Sequence, residues 1–155
     1  MADAELTFNG ELARDFFKKI SDQTKSQRKM TKKYVSSIST FVFQDIMDHF
    51  DKEKGPEGRW HAWSQAYRTH MQKIGKGANR ILQDTGRLRT SFQPGNYRVA
   101  KKGIEWFNPA RTRSGFPYAA HHNELADRPR TFMWLSQKAL DNISEATLEF
   151  ILRGV

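Results

Sequence analysis

The stretch from Tyr34 to Phe50 constrains this chain more than any other. Tyr34, Val35, Ile38, Phe41, Val42, Asp45, Ile46, His49 and Phe50 recur at spacings of three and four, the period that lines one side of an α-helix with apolar groups. So wide a stripe must be buried, and the spacing predicts a long helix that forms the spine of a core. Lys52-Glu53-Lys54-Gly55-Pro56-Glu57-Gly58 is expected to stop it in a surface loop, because Gly supplies left-handed backbone and Pro cannot continue a helix.

Other helical patterns flank this one. Glu11 to Ser21 places Leu12, Phe16 and Ile20 at i, i+4 and i+8. Ser64 is a natural cap for a helix through Tyr67, Met71 and Ile74 that ends at Gly75-Lys76-Gly77. A short helix is expected over Tyr118 to Leu125. A last long one runs from about Gln137 to Leu152, with Leu140, Ile143, Thr147, Phe150 and Ile151 on one side and Asp141, Glu145 and Glu149 on the other, stopping at Gly154.

Strand signals sit between them. Glu5-Leu6-Thr7-Phe8 alternates as a short edge strand would before Asn9-Gly10. Phe92 to Ala100 and Ile104 to Asn108 read as a β-hairpin, turned at Lys101-Lys102-Gly103 and bent at Pro94-Gly95. Thr131-Phe132-Met133-Trp134-Leu135 is an apolar run expected to be a last strand, with Ser136 capping the helix after it. The expected class is α+β: long amphipathic helices packed on a small, mainly antiparallel β-sheet with a β-hairpin. At 155 residues the chain suits a single domain, 1–155, with a helical part over about 10–76 and a hairpin and C-terminal helix part over about 77–155. The two parts meet at a hinge from Lys76 to Phe92, anchored by Ile81, Leu82, Leu88 and Phe92, where Asp84 or Thr85 caps a short helix and Gly86 frees the turn.

Composition narrows the function classes. The chain has no cysteine, which removes disulfides and thiolate zinc sites and fits a reducing compartment. Met1-Ala2-Asp3-Ala4-Glu5-Leu6 has neither the basic start nor the apolar run of a signal peptide, and no window approaches the roughly 18 apolar residues of a membrane helix. A soluble protein without membrane contact is expected. Lysine and arginine number 26 against 17 aspartate and glutamate, a net +9, which favours polyanionic or acidic partners, with a solvated basic face as the competing reading.

Catalytic constellations are absent. His121-His122-Asn123-Glu124, His61 and His70 are metal-ligand types, but adjacent helical residues point about 100° apart and no HExxH pair accompanies them. Ser64, Ser91, Ser114 and Ser136 lie in no nucleophile elbow, and Gly75-Lys76-Gly77 lacks the phosphate-loop spacing. No enzyme activity, metal or cofactor is expected. The functional candidates are instead surface groups. Arg87, Arg89, Arg98, Lys101 and Lys102 concentrate positive charge across the hinge and hairpin tip, for packaged DNA or an acidic partner. Trp60, Trp63, Trp106, Arg111, Arg113 and Phe116 have the aromatic and arginine character of subunit or partner interfaces, with burial of the aromatics within one monomer as the competing explanation.

Gly77, Ile81-Leu82, Thr85-Gly86-Arg87-Leu88 and Ser91-Phe92, followed by Tyr118-Ala119-Ala120-His121 and Arg128-Pro129-Arg130-Thr131-Phe132, resemble the phage virion morphogenesis, or tail completion, family. Trp60-His61-Ala62-Trp63-Ser64 fits as well, so the likeness covers roughly residues 55 to 145. The resemblance implies a structural protein of a tailed-phage virion, completing the tail or joining it to the head-side connector. It implies a homo-oligomeric ring in the neck, with roughly six copies favoured by tail symmetry. The implied neighbours are tail terminator, tail tube or connector proteins, with nonspecific contact to packaged DNA, in the virion and in host cytoplasm during assembly. The basic segment from Lys25 to Lys33 has no counterpart in that likeness and reads either as the opening of the next helix or as a partner-facing arm. The alternative is a nonspecific nucleic-acid-binding protein acting as a monomer or dimer.

Overall fold

The computed structural model describes residues 4–7, 32–100 and 103–153. The helix expected over Glu11 to Ser21, the basic segment from Lys25 to Thr31, the Lys101-Lys102 turn and the stop at Gly154 lie outside them. In chain order the elements are β1 (Ala4–Thr7), α1 (Lys32–Lys52), β2 (Lys54–Gly55), β3 (Gly58–Arg59), α2 (Gln65–Lys73), α3 (Arg87–Ser91), β4 (Tyr97–Ala100), β5 (Gly103–Asn108), α4 (Tyr118–Ala120), which runs into a π-helical turn (His121–Leu125), and α5 (Gln137–Arg153). The class is α+β: α1 and α5 pack on each other, and α1 also meets an antiparallel sheet of order β1-β5-β4.

The apolar stripe of α1 is buried as its spacing requires. Val42, Ile46 and Phe50 are completely covered, and Tyr34, Val35 and Ile38 nearly so. The helix ends at Lys52, within the stretch expected to stop it, and Glu53 adopts left-handed backbone with φ 51°. That conformation is unfavourable for a residue with a Cβ, and it is held by contacts on both sides: the Glu53 carbonyl accepts from the Trp60 amide at 2.8 Å, and its carboxylate accepts from the Ile81 amide at 2.7 Å. The loop beyond Lys52 is a two-residue ladder, β2 against β3, too short to leave a period in the sequence. Gly55 within it approaches Thr131 closely, and an added Cβ would stand 3.2 Å from that carbonyl oxygen.

The hinge stretch closes the C-terminal end of α1. The last carbonyls of a helix have no partner inside it. Gln83 Nε2 donates to Phe50 O at 2.8 Å, and Arg80 donates to Asp51 O at 3.2 Å. Ile81 and Leu82 are half-buried against the core, while Leu88 and Phe92 are inside it. Gly86, with φ 70°, turns the chain into α3, a conformation glycine adopts without steric penalty.

The hairpin forms in the register Tyr97↔Trp106 and Val99↔Ile104, and β1 adds the expected edge strand with Leu6 opposite Trp106. Along β5 every second residue, Ile104, Trp106 and Asn108, is buried, the period of a strand with one covered face. Trp106 Nε1 donates to Ser39 Oγ at 3.0 Å, which binds this face to α1.

The last strand expected at Thr131 to Leu135 does not form; these residues are irregular. Side chains take the place of a ladder. The Asn123 carboxamide oxygen accepts from the amides of Phe132 and Met133 at 3.0 and 2.8 Å. The carbonyls of Thr131 and Phe132 accept from Trp60 Nε1 and His49 Nδ1, each at 3.0 Å. Buried backbone groups need partners, and here they find them one by one. Phe132 and Met133 are therefore buried without belonging to a sheet.

The stripe of α5 is covered as expected at Ile143, Thr147 and Phe150, which face α1. Tyr34 stacks on Phe150 with ring centroids 4.5 Å apart and shares a 2.7 Å hydrogen bond with Thr147. Ser136 caps the first turn, its hydroxyl accepting from the Ala139 amide at 3.3 Å. No helix among the described residues is long and apolar enough to cross a membrane.

Candidate functional site

Ser136, Asp45 and His49 stand together at the junction of α1 and α5, so nucleophilic chemistry has to be tested there. Ser136 donates its hydroxyl to Asp45 Oδ1 at 2.6 Å and its amide to Oδ2 at 2.8 Å, while His49 Nε2 lies 3.5 Å from the same carboxylate. The carboxylate is thus in the middle. A nucleophilic serine needs its hydroxyl on the imidazole, and here no proton can pass from serine to histidine. His49 is 2% exposed and stacks on Trp134 at 4.2 Å, so substrate has no access to it. Burial holds its pKa below the ordinary value, outweighing the opposite pull of the Phe132 carbonyl, Asp45 and Asp48. A neutral ring donates from Nδ1 to Phe132 O, and its buried Nε2 faces the Asp45 carboxylate without a hydrogen-bond partner. The group is structural.

An open groove lined by Asp51, Lys52, Glu53, Lys54, Arg59 and Arg80 is no better suited to catalysis. Its carboxylates are engaged: Asp51 with Arg89 at 2.9 Å and Arg80 at 3.8 Å, Glu53 with the Ile81 amide. Among the described residues no group of three or more His, Asp or Glu side chains could hold a metal ion.

The basic residues singled out from the sequence do not form one patch of free cations. Arg89 is paired with Asp51 and Arg98 with Glu105 across the hairpin, Arg87 is exposed at the start of α3, and Lys101 and Lys102 lie outside the described residues. Two of the tryptophans are core residues, which corrects the expectation that they face a neighbour. Trp106 is 1% exposed and bonded to Ser39; Trp60 is 7% exposed, set edge-on to Phe50 and bonded to Thr131. Indole burial satisfied by a hydrogen bond is the ordinary fate of such residues. Trp63 is half-buried.

Arg111, Arg113 and Phe116 belong to a compact turn instead of a loose loop. Thr112 N donates to Phe116 O at 2.9 Å, Gly115 N to Thr112 O at 3.0 Å, and Phe116 N to Thr112 Oγ1 at 3.0 Å. This internal bonding presents Arg113 and Phe116 outward, Phe116 with 48% of its surface free.

From this turn a ridge of rings and cations crosses the surface. Phe116 lies 5.4 Å from His121, whose ring is 5.5 Å from His122. The Arg130 amide donates to His122 O at 2.8 Å, and its guanidinium donates twice to His61 O, both at 3.2 Å. Beyond His61, Trp63 meets Tyr67 edge-on at 5.3 Å, and Tyr67 lies 6.5 Å from His70. Burial lowers the pKa of Arg130, with Tyr67 opposing, and burial followed by the charges of His121 and Arg130 lowers that of His122. No carboxylate pairs with Arg130 among the described residues, although exposed Glu124 and Asp127 stand in the same segment. The helix expected through Tyr67, Met71 and Ile74 forms with its Ser64 cap, but only Met71 is covered, and Tyr67 and Ile74 are 45% and 50% exposed. The polar makeup of Gln65 to Lys73 was the available signal that this helix lies on the surface with little of itself inside. No family model matches the chain, and no curated protein and no solved structure matches it.

Proposed function

We propose that the chain is a structural component of a tailed-phage virion, completing the tail or joining it to the head-side connector as one subunit of a ring. What carries the reading is the placement of the residues on which the family likeness rests. Leu88 and Phe92 of α3, Ala119 and Ala120 of α4, and Phe132 come from separate stretches and meet in one buried cluster with the α1 stripe. Their convergence supports reading these separate stretches as parts of one body, as the likeness requires. The groups that chemistry would need, Asp45, His49, Asp51 and Glu53, are occupied with holding elements together, in keeping with a protein that acts through shape and charge.

The exposed ridge and the net charge of +9 fit a subunit that must hold neighbours. Particles assembled without this polypeptide are expected to accumulate as unjoined heads and tails, counted by electron microscopy, with infectivity restored by adding the protein. Normally attached, infectious tails in its absence would overturn the proposal. The second reading, nonspecific nucleic-acid binding by a free monomer or dimer, draws on the same cations; tight binding to DNA by the monomer with a steep salt dependence would favour it.

A further inference from the structure

A ring built from one kind of subunit needs two different faces that fit each other, because each copy presents one face forward and the other back. The ridge is one exposed face without an evident occupant. The outward side of α5 is another. Asp141, Glu145, Leu148 and Leu152 are spaced four, three and four apart, which sets them on one side of the helix, opposite Ile143, Thr147 and Phe150. Leu148 is 47% and Leu152 78% exposed, one helical turn apart on the same side as the two carboxylates. Lys138 stands at the N-terminal margin of this face.

The two faces are complementary in both respects that matter. One offers carboxylates beside leucines; the other offers Arg113 and Arg130 beside Phe116 and Tyr67. Subunits of net charge +9 repel one another at any randomly chosen contact, so an acidic face meeting the basic ridge is the arrangement in which identical copies can approach.

We propose that copies of this chain join head to tail, the outward face of α5 in one copy seating on the ridge of the next, with Asp141 and Glu145 against Arg113 and Arg130 and with Leu148 and Leu152 covering Tyr67 and Phe116. The inference rests on the ring reading and names the contact that builds the ring. Arginine and large aromatic groups at the centre of the contact, with carboxylates opposite, give both adhesion and a fixed orientation.

Sedimentation and native mass spectrometry of the full chain test it, using Arg113→Glu, Glu145→Lys and the double variant. Both positions lie on the exposed surface, so folding is expected to persist and is checked by circular dichroism. The wild type is expected to assemble, each single charge reversal to raise the concentration needed for assembly by about tenfold or more, and the double reversal to recover most of that loss. Leu148→Asp and Phe116→Ser are expected to abolish assembly without altering the fold. Wild-type assembly that survives all four single changes would overturn this contact and leave the ring reading standing. A wild type that stays monomeric at every concentration would overturn both. Loss of binding to an oligothymidine probe in Arg113→Glu, with assembly unchanged, would assign the ridge to nucleic acid and likewise overturn the contact.

Discussion

The indole nitrogen of Trp106, in the middle of β5, donates to the hydroxyl of Ser39 on α1 at 3.0 Å, with both side chains fully enclosed. Removing the acceptor leaves a donor stranded away from water, and Ser39→Ala is expected to cost about 1–3 kcal/mol. Urea unfolding measures it. Trp63→Ala, at a half-buried position on the ridge, is expected to change stability by less than a kilocalorie or so.

Asn123 performs the work of a neighbouring strand for Phe132 and Met133. Asn123→Ala strands two amides at once and is expected to destabilise by on the order of 1–3 kcal/mol for each. Thermal or urea unfolding measures the loss, and a variant as stable as the wild type would show that the oxygen is not what holds the segment.

His49 makes stability depend on pH in a defined direction. Its folded pKa lies below the ordinary 6.5, chiefly through burial, so in the window below 6.5 the unfolded chain binds the proton that the folded chain refuses. Stability contributed by the neutral ring is whole above that value and falls as pH drops through the window. His122, lowered in the same way, adds in the same direction. Comparing unfolding midpoints between about pH 7.5 and 5.5, the slope is expected to be shallower in His49→Asn, whose amide can still donate to the Phe132 carbonyl.

Arginines that already hold carboxylates contribute little to polyanion binding. Arg98→Ala, which frees Glu105, is expected to lower the affinity for nonspecific duplex DNA no more than Arg113→Ala does, although both remove one positive charge. Filter binding or anisotropy across a salt series checks the order, since each phosphate neutralised contributes roughly 0.9 to the salt slope.

The two long helices and the hairpin were legible because each buries one face of a regular element, and burial leaves a period. Tyr34 to Phe50 has the helical period in full, and Ile104, Trp106 and Asn108 have the period of two. The alternation at Trp106 also carried the information that this tryptophan points inward, which its residue type alone does not. Thr131 to Leu135 misled for a physical reason: an apolar run looks the same whether its backbone is paired by a strand or by the side chains of Asn123, His49 and Trp60, which lie far away in sequence. The pairing of Arg89 with Asp51 depends on the hinge folding back on α1, and no local pattern announces it. Tyr67 sat at helical spacing with Met71, but a nine-residue helix seated through one methionine leaves the rest of its stripe outside.

Asp45 reaches Ser136 across 91 positions of chain, and Tyr34 reaches Thr147 across 113. During synthesis the first half of the protein therefore emerges from the ribosome with its longest helix lacking the groups that will later cover it. Val35, Ile38 and Val42 stay open to other molecules until almost the whole polypeptide is made. Distant closures of this kind slow folding, so the stripe of the longest described helix is the surface most open to unwanted contacts while the chain is being made.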